Sequence, residues 1–257
     1  MLVVVDPDDP CAGAGRDAAG CIAPGLLDDL VGYWRLDDGL GSASASDGSG
    51  RDNNGALIGL NVASAWVPGR SGTGIEVGGA GWILVTPSAS IDSITDRLTI
   101  AGWVFLEGPI VNWATAASRQ IRSGVEQHYH LSLSADARPS MFITVADVIK
   151  LLSAPEAVAP RTWVHLAGTY DGTSARLYVN GALVASMPIA GSFAPDTTPL
   201  VIGGNGNDGT GIPTELFPGR IDEIMLYRRA LSDEEVGRLF AGALFSATTP
   251  GGDAGVD

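Results

Sequence analysis

The chain has 257 residues, 45% of them hydrophobic and 17% charged, with 35 glycines and 15 prolines. That length suits one large domain or two small ones. So much glycine and proline breaks most windows long enough for a helix, which excludes a helical bundle and fits many short strands joined by turns. The net charge is −14 and Lys150 is the only lysine, which excludes nucleic-acid binding through a basic patch and docking on an anionic membrane surface.

Residues 1–30 form an acidic Gly/Ala-rich arm, with six Asp against one Arg up to Asp29. Its apolar run Leu2–Val5 stops at Asp6 and lacks a basic start, so it is no signal peptide. No run reaches the roughly 18 apolar residues of a membrane span, so membrane insertion is not expected. Cys11 and Cys21 enclose a small flexible loop that a disulfide can close; the alternative is two free thiols. The chain is therefore either cytosolic or a mature or excised piece of a longer exported protein, and a disulfide favours the second.

The body, residues 31–243, reads as strand after strand. Val31–Leu36 alternates and ends at Asp37-Asp38-Gly39. Gly74–Val77 and Trp82–Val85 flank Gly78-Gly79, a tight-turn signal that predicts a hairpin. Leu98–Leu106 is a long apolar strand, and Tyr129–Leu133 and Met141–Val145 form a pair. Thr162–Tyr170 follows, and Asn180-Gly181 joins Ala175–Val179 to Ala182–Ser186 as a hairpin. Ile221–Tyr227 is the last strand. Strands at this spacing without intervening helices predict an all-β antiparallel sandwich or barrel. One short helix follows, because Ser232 and Glu235 have capping-box spacing and Val236, Leu239 and Phe240 form an apolar stripe. Residues 244–257 read as a C-terminal linker or tail.

Four segments, in order, carry a resemblance. Trp163-Val-His165-Leu-Ala-Gly-Thr-Tyr170-Asp-Gly with Leu177-Tyr178-Val-Asn180-Gly181 resembles the LamG-like jelly-roll domains of the concanavalin A-like lectin/glucanase superfamily. Tyr33-Trp34-Arg-Leu-Asp-Asp38-Gly39 resembles the family's opening strand and acidic turn. Asp47-Gly-Ser49-Gly50 with Asn53-Asn54-Gly55 resembles its Ser-Gly loop, and Phe217-Pro-Gly219-Arg-Ile-Asp222-Glu223 with Arg229–Ser232 its closing strand and helix. The resemblance implies a β-sandwich of two curved antiparallel sheets with one short C-terminal helix.

It also implies a structural calcium. Calcium takes six to eight oxygens from carboxylates, amides and carbonyls. Carried over position by position, Asp38, Asp47, Asn53 and Asp222 are the expected ligands, although the family often has Glu where Asp38 stands and His where Asn54 stands. The competing reading makes Asp47 and Asp222 acceptors that hold turns.

Composition alone leaves a Ser-His-Asp arrangement open, but the residues carry no recognisable enzyme signature. No strand presents the spaced carboxylates of a glucanase, and Asp222 and Glu223 are adjacent, so on a regular strand they point to opposite faces. No Gly-x-Ser-x-Gly elbow is present. His128 and His130 share a strand face without a third metal ligand, His165 reads as a sheet-face residue, and Gly203–Gly211 lacks the lysine of a phosphate loop. Trp66, Trp82 and Trp113 are candidate sugar platforms, Trp113 foremost because its surroundings are polar, whereas Trp34, Trp103 and Trp163 read as core.

The expected function is a non-catalytic extracellular binding or adhesion module for a glycan or an extracellular protein. The alternative is a structural subunit of a filament, sheath or virion that self-associates through residues 1–30, with Leu2–Val5 adding to a neighbour's sheet edge.

Overall fold

A computed structural model describes residues 25–120, 127–146, 148–195, 197–206 and 213–242. Cys11, Cys21, Leu2–Val5 and the tail 244–257 lie outside the described residues.

The chain folds in order as β1 (Leu30–Trp34), β2 (Ser44–Ala45), β3 (Gly55–Ile58), β4 (Trp66–Pro68), β5 (Thr73–Glu76) and β6 (Trp82–Val85). A helical turn, α1 (Ala89–Asp92), precedes β7 (Leu98–Leu106), β8 (Trp113–Gln120), β9 (Gln127–Ser134), β10 (Pro139–Val145) and β11 (Val148–Ser153). Then come β12 (Trp163–Tyr170), β13 (Ser174–Val179), β14 (Ala182–Pro188), β15 (Leu200–Ile202), β16 (Gly219–Tyr227) and α2 (Asp233–Phe240).

These strands form two antiparallel sheets. The first runs β14-β13-β12-β7-β16-β5-β4, with β1 beside the second half of β16. The second runs β11-β10-β9-β8-β15-β6-β3-β2. Period-2 patterning aims each strand at the space between. On β9, Tyr129, Leu131 and Leu133 enter the core while His128, His130 and Ser132 take the other face. Trp34, Ile75, Ile83, Met141, Leu166 and Ile221 fill the same core. A second cluster lies on the outer face of the first sheet, where Val236 and Leu239 of α2 cover Leu26, Leu30, Tyr33, Tyr178, Met225 and Tyr227. The capping box of α2 is formed: the Glu235 N–H donates to Ser232 Oγ and the Ser232 N–H to the Glu235 carboxylate.

The Asn180-Gly181 hairpin joins β13 to β14, both turn residues having positive φ (49° and 79°). The hairpin expected at Gly78-Gly79 is not formed. β5 belongs to the first sheet and β6 to the second, so the two glycines (φ 53° and 72°) carry the chain across the sandwich. Their N–H groups donate to Gly219 O and Phe217 O rather than across a strand pair. The tight turn is there, but the apolar faces of Ile75 and Ile83 face one another from opposite sheets.

The tryptophans redistribute. Trp34 is core, its indole N–H donating to Asn53 O at 2.8 Å. Trp66 is core as well, bonded to Ser42 O, and is therefore no platform. Trp103 is buried, but on the outer face of the first sheet, stacked on Phe240 and beneath Arg70. Trp163 stands beside Phe105 on that same face and is half-buried.

Candidate functional site

One open cleft of about 560 Å³ lies where the β7–β8 connection meets the segment before β16. Pro109, Ile110, Val111, Asn112 and Trp113 form one wall, and Pro213, Thr214, Glu215, Leu216 and Pro218 the other. Both walls are tied to the sheets by backbone bonds. The N–H groups of Glu107 and Gly108 donate to Pro218 O, and that of Thr115 to Glu215 O. Phe217 is fully buried and anchors the second wall. Gly219 is required beside it, because a Cβ there would sit 2.1 Å from Phe105 O.

Trp113 is half-buried, with its edge held against Phe142 at 4.8 Å and 83°. Phe142 in turn packs on His130 at 4.2 Å. This rigid stack leaves the indole part-exposed on the cleft wall, the arrangement an aromatic platform needs. Across from it, the Glu215 carboxylate accepts from Asn205 Nδ2 at 2.9 Å, and burial raises its pKa. Asn112 and Thr214 add amide and hydroxyl groups to the lining. Burial lowers the His130 pKa to about 3, so its ring is neutral and packs as an aromatic. Glu215 is the single carboxylate among the described lining residues. Glycoside hydrolysis by the usual route needs two. The cleft can stack and hydrogen-bond a ligand.

The four residues expected to hold calcium are placed differently. Asp47 accepts the Tyr33, Ser49 and Asn53 N–H groups and the Ser49 hydroxyl, at 2.7 to 2.9 Å. Four donors fill the lone pairs of one carboxylate. Asn53 points its amide nitrogen inward, donating to Val31 O and Ser90 Oγ. Asp38 accepts the Ser46 N–H and hydroxyl. Asp222 Oδ2 accepts the Arg70 and Ser71 N–H groups at 2.7 and 3.0 Å, while Oδ1 is buried without a hydrogen-bond partner. No group of three His, Cys, Asp or Glu side chains suited to a metal occurs among the described residues. Hydrogen bonds within the protein thus occupy Asp47, Asp38 and one oxygen of Asp222, and no role is routed through a calcium.

Asp222 instead belongs to a buried acidic pair. The register of β16 slips between Asp222 and Met225, and Glu223 takes a positive φ of 52°. This bulge removes the strict alternation that the sequence suggested at this point. Glu223 accepts the Tyr33 hydroxyl in a very short hydrogen bond, and its Oε1 is unpaired. Burial raises Asp222 to about 7 and Glu223 to about 8; the charge of Asp222 raises Glu223 further, and the nearby Asp37 raises both. Sequence reasoning missed Asp37, which accepts the Thr73 N–H of the loop that Asp222 holds. It also missed Glu215 and Asn205. The two prolines bracketing Thr214–Phe217 were the available signal for an ordered wall.

The comparisons with known proteins agree with this fold. The family model described as the concanavalin A-like lectin/glucanases superfamily, of laminin G type, matches residues 77–237. Pappalysin-1 of Mus musculus is 31% identical over 116 residues, which take in 43% of this chain and 6% of pappalysin-1. The match therefore spans a small part of that relative's length. Among solved structures, the binding domain of Paraclostridial Mosquitocidal Protein 1 superposes with a TM-score of 0.64 at 20% identity, covering 86% of this chain and 56% of that one. Domain 4 of AbnA, an extracellular arabinanase of Geobacillus stearothermophilus solved with arabinotriose, gives 0.62 at 19% identity over 82% of this chain and 98% of that domain. At these identities the likeness shows the fold.

Proposed function

Given that this chain belongs to the concanavalin A-like lectin/glucanases superfamily, we propose that it is a non-catalytic module that binds a glycan in the Trp113 cleft. The observation that carries this reading is the cleft's chemistry: a braced indole on one wall, with Asn112, Thr214 and Glu215 within the same lining. Sugars present apolar C–H faces to an aromatic ring and hydroxyls to amides and carboxyls, so the two kinds of group serve one ligand. The AbnA domain, solved with arabinotriose, and the binding domain of the mosquitocidal protein support a binding role. A single carboxylate among the described lining residues accords with binding rather than hydrolysis. The proposal places the module outside the cell. Among the described residues no helix is long and apolar enough to cross a membrane.

The test is a glycan array probed with the whole chain and with Trp113→Ala, both with and without chelator. Wild type is expected to bind at least one oligosaccharide class, with or without chelator. Trp113→Ala is expected to bind it at least tenfold more weakly while remaining folded, as a cooperative thermal melt shows. A wild-type chain that binds no glycan, or a variant that binds as tightly as wild type, refutes the reading.

A further inference from the structure

Both sheets end on the same side of the sandwich, where β14 of the first comes close to β11 of the second. The β11 end is apolar: its Val148, Ile149 and Leu151 are 40% to 47% exposed. An edge strand leaves alternate N–H and C=O groups unpaired, and natural proteins cover such edges, charge them or keep them short. β11 is six residues long, and its one charge is Lys150, the only lysine of the chain.

From this edge we infer that β11 is the docking site for Leu2–Val5 of the same chain, added as an outer strand. Three observations select this occupant. The segment Leu2-Val3-Val4-Val5 is β-branched and apolar, and its alternate side chains match the alternate apolar positions of β11. Asp6, Asp8 and Asp9 follow it directly, so the segment brings acids to the edge that carries Lys150. A second copy of the edge would set Lys150 against another Lys150 with no acid in β11 to meet either, and would bring together two chains of net charge −14. The connecting chain is also long enough. Residues 6–24 extend to about 63 Å at about 3.3 Å each, and a domain of this size has a diameter of about 45 Å, from a radius of gyration near 17 Å. A tether of that length holds the segment at an effective concentration in the millimolar range, which favours docking within one chain over pairing between chains.

Amide hydrogen exchange on the whole chain tests the inference, with Leu2→Asp/Val4→Asp as the variant. The core clusters of the described residues contain neither position, and a cooperative thermal melt checks that the variant keeps its fold. The amides of Val148–Ser153 that do not bond to β10 are expected to exchange at least tenfold faster in the variant. Ile149→Asp/Leu151→Asp is expected to release residues 2–5 in the same way. Sedimentation is expected to find a monomer from 5 to 200 µM in every case. Equal exchange at β11 in wild type and variant overturns the inference. So does a concentration-dependent wild-type dimer that the Leu2→Asp/Val4→Asp change dissolves, since the segment would then dock on another copy.

Discussion

Replacing the buried acids by their amides, Asp222→Asn with Glu223→Gln, isolates what their ionisation costs. The amide oxygens can still accept from the Arg70 and Ser71 N–H groups and from the Tyr33 hydroxyl. Burial raises Asp222 from 3.8 to about 7 and Glu223 from 4.5 to about 8. A raised folded-state pKa means the folded state holds more protons, so stability falls as pH rises from the unfolded value through the folded one. At about 1.4 kcal/mol per unit, the loss between pH 5 and pH 8.5 is at most about 3 kcal/mol for Asp222 and about 4 kcal/mol for Glu223. The two interact and do not add. The double variant is therefore expected to gain on wild type by about 3 kcal/mol across that range, or roughly 6–12 °C in Tm for a domain of this size. His130 and His165, lowered to about 3 by burial, act in the opposite sense: the stability they contribute is lost as pH falls below about 6.5. That effect is common to both proteins and cancels in the difference. Thermal melts of both at half-unit pH steps make the measurement. A Tm gap that stays constant within about 1 °C from pH 5 to pH 8.5 would show that these carboxyls are not desolvated in the fold, and the reasoning fails.

Further outcomes follow from single contacts. Asp47→Ala strips the acceptor from the Tyr33, Ser49 and Asn53 N–H groups and is expected to cost about 2–4 kcal/mol in urea melts. Because Asp47 is filled by protein donors, adding chelator to wild type is expected to leave Tm unchanged; a fall of several degrees refutes this reading of Asp47. Gly219→Ala drives a Cβ into Phe105 O at 2.1 Å on the neighbouring strand and is expected to cost more than about 4 kcal/mol, read as loss of soluble folded protein. Gly237→Ala in α2 meets nothing within 4 Å and is expected to raise stability by about 0.5–1 kcal/mol.

The sandwich was legible because its signals are local. The Asn180-Gly181 turn needs only two positive φ angles, and the Ser232–Glu235 box only its own four residues. Gly78-Gly79 shows the limit: a tight turn looks the same in sequence whether its strands pair or part between sheets, and only the shared core decides. β8 was missed because Trp113–Gln120 is small and polar, yet Thr115 and Ser118 are fully buried. The acidic loops were legible as acidic and no further. What fills the lone pairs of Asp47 depends on Tyr33 and Asn53, which the fold brings in from β1 and from a loop. The bulge that places Glu223 beside Tyr33 is likewise a property of β16 pairing with two different strands along its length.

That long strand also gives the molecule a direction. Leu30, where the first strand starts, lies opposite Tyr227 at one end of β16, whereas Pro218 and the cleft sit just before the other end. Nine residues at about 3.4 Å each separate the two poles by nearly 30 Å. The chain thus comes into the sandwich at the pole remote from its cleft. If the cleft holds a ligand as proposed, a pull between that ligand and residue 30 runs along β16, loading its ladder in shear across many hydrogen bonds at once rather than one by one.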